Sequence, residues 1–238
     1  MLNQYLVDAG TDSKVPKAII APHAGYIYSG PVAASAYARL QQARDIVNRV
    51  VIIGPSHHVS FNGLAVSSAE SFTTPLGKIA VDRQSVTNLA MLPFVDFIES
   101  AHTHEHSLEV HLPFLQEVLT EFNIVPIVTG AASAEQVAMV IDMLWGGEET
   151  LIVISTDLSH YHDYETAQKL DRLTSHHFEN RQYERLSFES ACGKVPVSGL
   201  LKVAREKSLS IKTIDLRNSG DTSGDKKRVV GYGAYVIE

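Results

Sequence analysis

Eleven histidines occur in 238 residues, and several stand where an apolar run gives out. His23 follows Ala18-Ile19-Ile20-Ala21 in the stretch PHAGYIYSG. His57 and His58 end GPSHH, after the apolar segment that begins near Arg49. Asp157 and His160 belong to STDLSH, after a third such run. Imidazole titrates near neutral pH and ligates transition metals, so three histidine-bearing strand ends suit acid–base or metal chemistry. Each residue alone has a plainer reading. His23 could serve a turn, Asp157 could cap the turn after it, and one of the adjacent His57 and His58 must be structural. The single cysteine, Cys192, could be a small buried hydrophobe. The segment HEHSLEVH, residues 104 to 111, lacks the HExxH order of a zinc-protease helix and is expected to border a pocket instead.

The elements that must position these residues read as a crossover pattern. Val/Ile-rich runs over 17–21, 49–54, 64–68, 124–129, 151–155, 210–216 and 229–236 are predicted strands. Helical periodicity is predicted over 31–42, 83–92, 107–119, 134–145, 163–179 and 197–207, with Ser133 and Asp163 as caps. Residues 73–77 read as a turn into a short antiparallel excursion, and 218–227 as a loop. Alternating strands and helices imply an α/β fold, a three-layer αβα sandwich around a mostly parallel, mixed sheet. In such a sheet ligands bind beyond the carboxyl ends of the strands. His23, His57 and Asp157 fall there.

Composition narrows the function classes. An apolar fraction of 45% and a charged fraction of 20% are those of an ordinary globular chain, and one domain over residues 1–238 is expected. The net charge of −7 argues against nucleic acid as a partner. No run reaches membrane-spanning length and MLNQYLVDAG lacks the features of a signal peptide, so a cytoplasmic protein is expected. One cysteine permits no internal disulfide, in keeping with a reducing compartment.

The ordered motifs PHAGYIYSG, GPSHH, EHSLEVHLPFLQ, STDLSH and ACGKVPVSGLL resemble the Memo family, including the microbial proteins called AmmeMemoRadiSam system protein B. That family is more distantly similar in architecture to the class III extradiol ring-cleaving dioxygenases, which use non-haem iron. The resemblance implies that His23, His57 and Cys192 ligate a metal, with Asp157 and His160 as catalytic groups in the same pocket. Tyr28, His58 and His106 are expected to line the substrate pocket. Fe(II) is the implied ion, with zinc and copper as alternatives. The implied activity is a metal-dependent redox reaction on a small-molecule or peptide ligand. Binding without turnover and zinc-dependent hydrolysis are the competing readings. The aromatic-containing segment that normally precedes the first strand in this family is absent from MLNQYLVDAG. Cys192 stands where the dioxygenases use a carboxylate, which shifts the redox potential of a bound iron.

Overall fold

A computed structural model describes residues 1–10, 14–222 and 224–238. The strands are β1 (Ala18–Ala21), β2 (Arg49–Pro55), β3 (Leu64–Val66), β4 (Ser71–Thr74), β5 (Gly77–Ala80) and β6 (Val95–Phe97), then β7 (Asn123–Thr129), β8 (Thr150–Ser155), β9 (His160–His162), β10 (Ile211–Asn218) and β11 (Val229–Ile237). The helices are α1 (Leu2–Ala9), α2 (Tyr26–Tyr37), α3 (Arg83–Leu89), α4 (Ser100–Thr103) and α5 (His106–Glu109), then α6 (Leu112–Val118), α7 (Ala134–Met143), α8 (Tyr164–Glu179), α9 (Lys194–Glu206) and α10 (Ser219–Thr222).

The main sheet runs β10-β11-β1-β8-β2-β7-β3-β6, and β9 joins it by pairing with β11. Its centre, β1-β8-β2-β7, is parallel. These four strands are almost wholly buried, which explains why they read as unbroken apolar runs with no alternation. β11 pairs antiparallel with β1, and β3 antiparallel with β7, so the sheet is mixed. α2 and α6 cover one face, while α7, α8 and α9 cover the other. The expected three-layer architecture is therefore present. β4 and β5 form a separate antiparallel hairpin, in which β5 is the short excursion expected after the turn, while β4 takes in Thr73 and Thr74, expected as part of the turn.

Both expected caps are in place. Ser133 and Gln136 make a reciprocal capping box, and Asp163 accepts the Thr166 N–H at 3.0 Å.

Several boundaries differ from expectation for physical reasons. The first long helix begins at Tyr26, so Pro31 lies inside α2 instead of opening a helix, and residues Ala38–Ala43 tighten into a 3-10 turn. The bond that Pro31 cannot make would have used the carbonyl of Ile27, an exposed residue. The helix predicted over 107–119 is two helices. Pro113 enters the first turn of α6, and the break at Val110 is held by the Tyr26 hydroxyl, which donates to the Val110 carbonyl at 3.0 Å. The loop expected over 218–227 contains α10, and position 223 lies outside the described residues. α1, β6 and β9 had no counterpart in the sequence prediction. Among the described residues no helix is long and apolar enough to cross a membrane.

Candidate metal centre

The strand order decides which residues can meet. β8 lies between β1 and β2, so the loop carrying Asp157 is flanked by the loops carrying His23 and His57. Two close approaches bring the remaining parts in. A Cβ on Gly54 would lie 2.7 Å from Ser107 Oγ, so glycine at the end of β2 lets α5 settle there and brings Glu105 and His106 with it. A Cβ on Gly193 would lie 2.4 Å from the Ser155 carbonyl. Glycine there lets the start of α9 abut the end of β8, which delivers Cys192.

His23 is buried, and its Nδ1 lies 2.6 Å from Ser155 Oγ. That hydroxyl donates its proton to the Ser107 carbonyl at 2.6 Å, so it can only accept from the imidazoles around it. His23 is thereby assigned the Nδ1–H tautomer, leaving Nε2 to face Cys192 Sγ at 3.5 Å. The same oxygen accepts from His111 Nε2 at 2.9 Å, while His111 Nδ1 accepts from the Tyr37 hydroxyl at 2.8 Å. Burial pushes His111 down to about 3, so this imidazole is neutral and both its nitrogens are used. His111 therefore braces the site and is not free to act as a ligand.

His57 is held by a carboxylate. Its backbone N–H and its Nδ1 donate to the two oxygens of Glu105 at 2.6 and 2.8 Å, and the Ser107 N–H donates to the same group at 2.9 Å. Burial alone would push the Glu105 carboxyl up, but these three bonds outweigh it and hold the group at about 2. In the metal-free protein a hydrogen bond with Cys192, then the one with Glu105, raises His57 to about 10 against desolvation. Burial acts to raise the Cys192 thiol as well, yet bonds from His23 and His57 bring it down to about 7. The two groups thus favour an imidazolium–thiolate pair.

His106 completes the cluster. Its ring stacks on His57 with centroids 5.1 Å apart and lies 5.7 Å from His23. One nitrogen from each of His23, His57 and His106 falls within 4.8 Å of the others. His106 was expected at the border of the pocket; its nitrogen stands among the donors. The buried Asp157 carboxylate accepts the His23 N–H at 2.8 Å, and the Asp157 N–H donates to Cys192 Sγ at 3.3 Å. Burial pushes this carboxyl up, and the N–H groups of His23 and Ala24, with nearby His160, oppose the shift. Asp157 therefore ties the turn after β1 to the end of β8.

The remaining predicted residues lie around this centre. His160 is partly buried in β9, opposite Val230 of β11. Tyr28 is 40% exposed and lies in the first turn of α2. His58 points to the rim, its ring 6.3 Å from that of His106. The sequence reading missed Glu105, Ser155 and His111 as the groups that aim the imidazoles. Glu105 and His111 sit inside the segment singled out for its histidines, and Ser155 ends a predicted strand. A cavity of about 470 Å³ opens beside His57 and Cys192. Another, of about 410 Å³, lies at the opposite end of the sheet around Lys17 and Trp145, away from these donors.

The thiol offers a direct measurement. In metal-free protein, iodoacetamide should label Cys192 with a pH–rate midpoint near 7, and restoring a transition metal should slow labelling by at least about tenfold, since a ligated sulfur is shielded. A rate indifferent to metal would remove Cys192 from the donor set.

A family model described as Memo-like protein matches residues 1–236. A MEMO1 family protein of Aquifex aeolicus is 37% identical over 228 residues, covering 91% of this chain and 84% of the relative. One from Methanosarcina mazei is 37% identical over 232 residues, covering 92% and 85%. One from Metallosphaera sedula is 34% identical over 237 residues, covering 93% and 83%. Among solved structures, the crystal structure of an uncharacterised protein from Escherichia coli K12 matches with a TM-score of 0.54 at 12% identity, covering 94% of this chain and 100% of that one. At that identity the likeness is one of fold.

Proposed function

Because the chain belongs to the Memo-like protein family and gathers three imidazoles beside one thiol, we propose that it is a metal-dependent redox enzyme that uses non-haem iron. The observation that carries this reading is the locking of two imidazoles through Nδ1, His23 by Ser155 and His57 by Glu105. Metal-binding histidines are aimed in this way, with one nitrogen tied to an oxygen and the other left for the ion. Imidazole and thiolate suit iron, zinc or copper, and do not suit magnesium or calcium, which take oxygen donors.

In this reading His23, His57 and Cys192 hold the ion, with His106 a further imidazole within reach. Iron bound there would supply one-electron chemistry with oxygen. The protein's own groups do the rest. Asp157 fixes the His23 turn through its N–H bonds, and His160 moves a proton at its ring. Tyr28 and His58 border the substrate, a small molecule. A single thiol of this reactivity fits a reducing, cytoplasmic setting.

Protein purified anaerobically without a histidine tag should carry about one transition-metal ion per chain, as a single three-ligand site requires. Its Fe(II) form, freed of loose iron, should consume oxygen in the presence of ascorbate, while the Zn(II) and metal-free forms do not. Consumption no faster than that of metal-free protein would transfer the reading to a zinc hydrolase or to a binding protein using the same pocket.

A further inference from the structure

The cavity of about 410 Å³ at the other end of the sheet sits where β1, β2 and β8 begin, the three strands whose far ends carry His23, His57 and Asp157. Val15 and Pro16 before β1, Ile46 and Val47 before β2, and Trp145 before β8 give it apolar walls. Ile46 is 48% exposed, so an apolar occupant would cover it. No imidazole or thiol lines this cavity, which suits it to binding and not to the chemistry of the metal centre.

Among the described residues Lys17 is the one cation on its wall. The ammonium donates to the carbonyls of Gly147 at 2.6 Å and Thr150 at 2.7 Å, and lies 5.2 Å from the centroid of the Trp145 ring. Two of its three protons are thus used, and among the described residues no carboxylate is bonded to it. The charged groups around it have partners of their own. Glu149 Oε1 accepts from the Gly147 N–H and the Thr150 hydroxyl and lies 3.6 Å from Arg49. Lys207, 5.0 Å from the same Trp145 ring, pairs with Asp142 at 2.9 Å, and Lys14 pairs with Glu238 at 2.8 Å. Beside Ile46, Asp45 accepts from the Thr120 hydroxyl and Arg44 donates to the Glu117 carbonyl. Glu148 also lines the cavity, but it is exposed, where water and salt screen its charge. Burial pushes Lys17 down to about 8, with Glu149 opposing the shift and Arg49 adding to it.

We propose that this cavity binds a small monocarboxylate with an apolar body, its carboxylate on the Lys17 ammonium and its body against Val15, Ile46, Val47 and Trp145. The inference does not rest on the metal-site reading. The volume is that of a small-molecule site, and an apolar body there would be removed from water on several sides. A half-buried ammonium held only by carbonyl dipoles and a ring face gains most from an anion, because a charge-assisted bond is stronger than a neutral one. An amine would be repelled by Lys17. A phosphate ester would bring up to two charges to a single donor.

Octanoate is the probe, with octanamide as its uncharged counterpart. Calorimetry at pH 7 should give octanoate a dissociation constant of about millimolar order or below. Octanamide should bind at least about tenfold more weakly, since it brings no charge to the ammonium. An anion on Lys17 raises its pKa, so above pH 8 octanoate binding takes up a proton, and affinity should fall by about tenfold between pH 8 and pH 9.5. Heats measured in two buffers of different ionisation enthalpy report that proton directly. Lys17→Met keeps the apolar stem and removes the charge, so octanoate should bind it at least about tenfold more weakly and without proton uptake. Ile46→Trp narrows the cavity from an exposed position and should weaken octanoate by about three- to tenfold, which keeps the test open if Lys17→Met fails to fold. Octanoate binding unchanged in either folded variant, octanamide binding as well as octanoate, or affinity independent of pH from 7 to 9.5 would overturn the proposal. Octanoate binding that needs a loaded metal ion would also overturn it, by placing the carboxylate on the ion at the other end of the sheet.

Discussion

Alanine at His23 or at His57 should abolish metal binding, whereas alanine at His58 should leave about one ion per chain; elemental analysis and a competition titration are the measurements. The expectation follows from how each ring is aimed. His23 and His57 have their Nδ1 atoms tied to Ser155 and Glu105, so each Nε2 is committed to the common centre and its loss cannot be covered by rotation of a neighbour. His58 is exposed, as His57 is, but among the described residues no side-chain bond ties its ring, which meets the edge of His106 with centroids 6.3 Å apart. Its removal should cost no more than the roughly 10- to 100-fold typical of residues around a ligand shell. His106→Ala falls between these cases, because His106 is stacked on His57 and not fixed by a carboxylate. Equal loss of the ion from His57→Ala and His58→Ala would show that the doublet does not divide in this way.

Glu105→Ala should be the most damaging change outside the donors themselves. It leaves the His57 imidazole and two backbone N–H groups without an acceptor at a position where the carboxylate is almost wholly enclosed. Breaking such a pair from one side costs about 3 kcal/mol, and metal affinity should fall by about 10- to 100-fold because His57 is no longer held. Denaturant unfolding and metal titration of the same variant separate the two effects. The pH dependence in metal-free protein follows from the shifts. Glu105 is depressed to about 2, so its contribution is complete above the ordinary carboxyl value of about 4.3 and is lost as pH falls toward 2. His57 is raised to about 10, so its contribution is complete below about 6.5 and is lost as pH rises toward 10. The part of the His57 shift that comes from Cys192 survives in Glu105→Ala, so the stability difference between the two proteins should grow as pH rises from 2 to about 4.3 and decline only in part toward pH 10. A difference that is flat from pH 2 to pH 6 would contradict the ion pair.

The parts of the site that could be read from sequence are those whose signal is local. β1, β2 and β8 announce themselves as Val/Ile runs because both faces of the strands are buried, and His23, His57 and Asp157 are conspicuous where those runs stop. The groups that escaped the sequence depend on distant partners. Nothing local marks Ser155 as the hydroxyl between His23 and His111, or Glu105 as the acceptor for a residue 48 positions earlier. Pro113 opens a second helix inside the span predicted as one, and Pro31, where a predicted helix began, lies mid-helix. His106 was placed near the pocket from its segment alone. Its stacking on His57 depends on Gly54 admitting α5 to the strand end, a matter of packing and not of spacing.

The Cys192–His23 contact joins residues 169 positions apart, and the His23–Ser155 contact spans 132. Neither can exist until β1 has inserted between β11 and β8, the most non-local step in assembling the sheet. Pairings of this range are slow to form, and a chain short of that step presents scattered imidazoles with no common focus. An ion at this centre would therefore not guide the chain to its fold. It would bind the finished sheet, add to stability by mass action, and act chiefly by slowing unfolding, as interactions absent from the folding transition state do. The ion would thus work as a latch on a closed structure, and its loss would show first as a shorter lifetime of the native state.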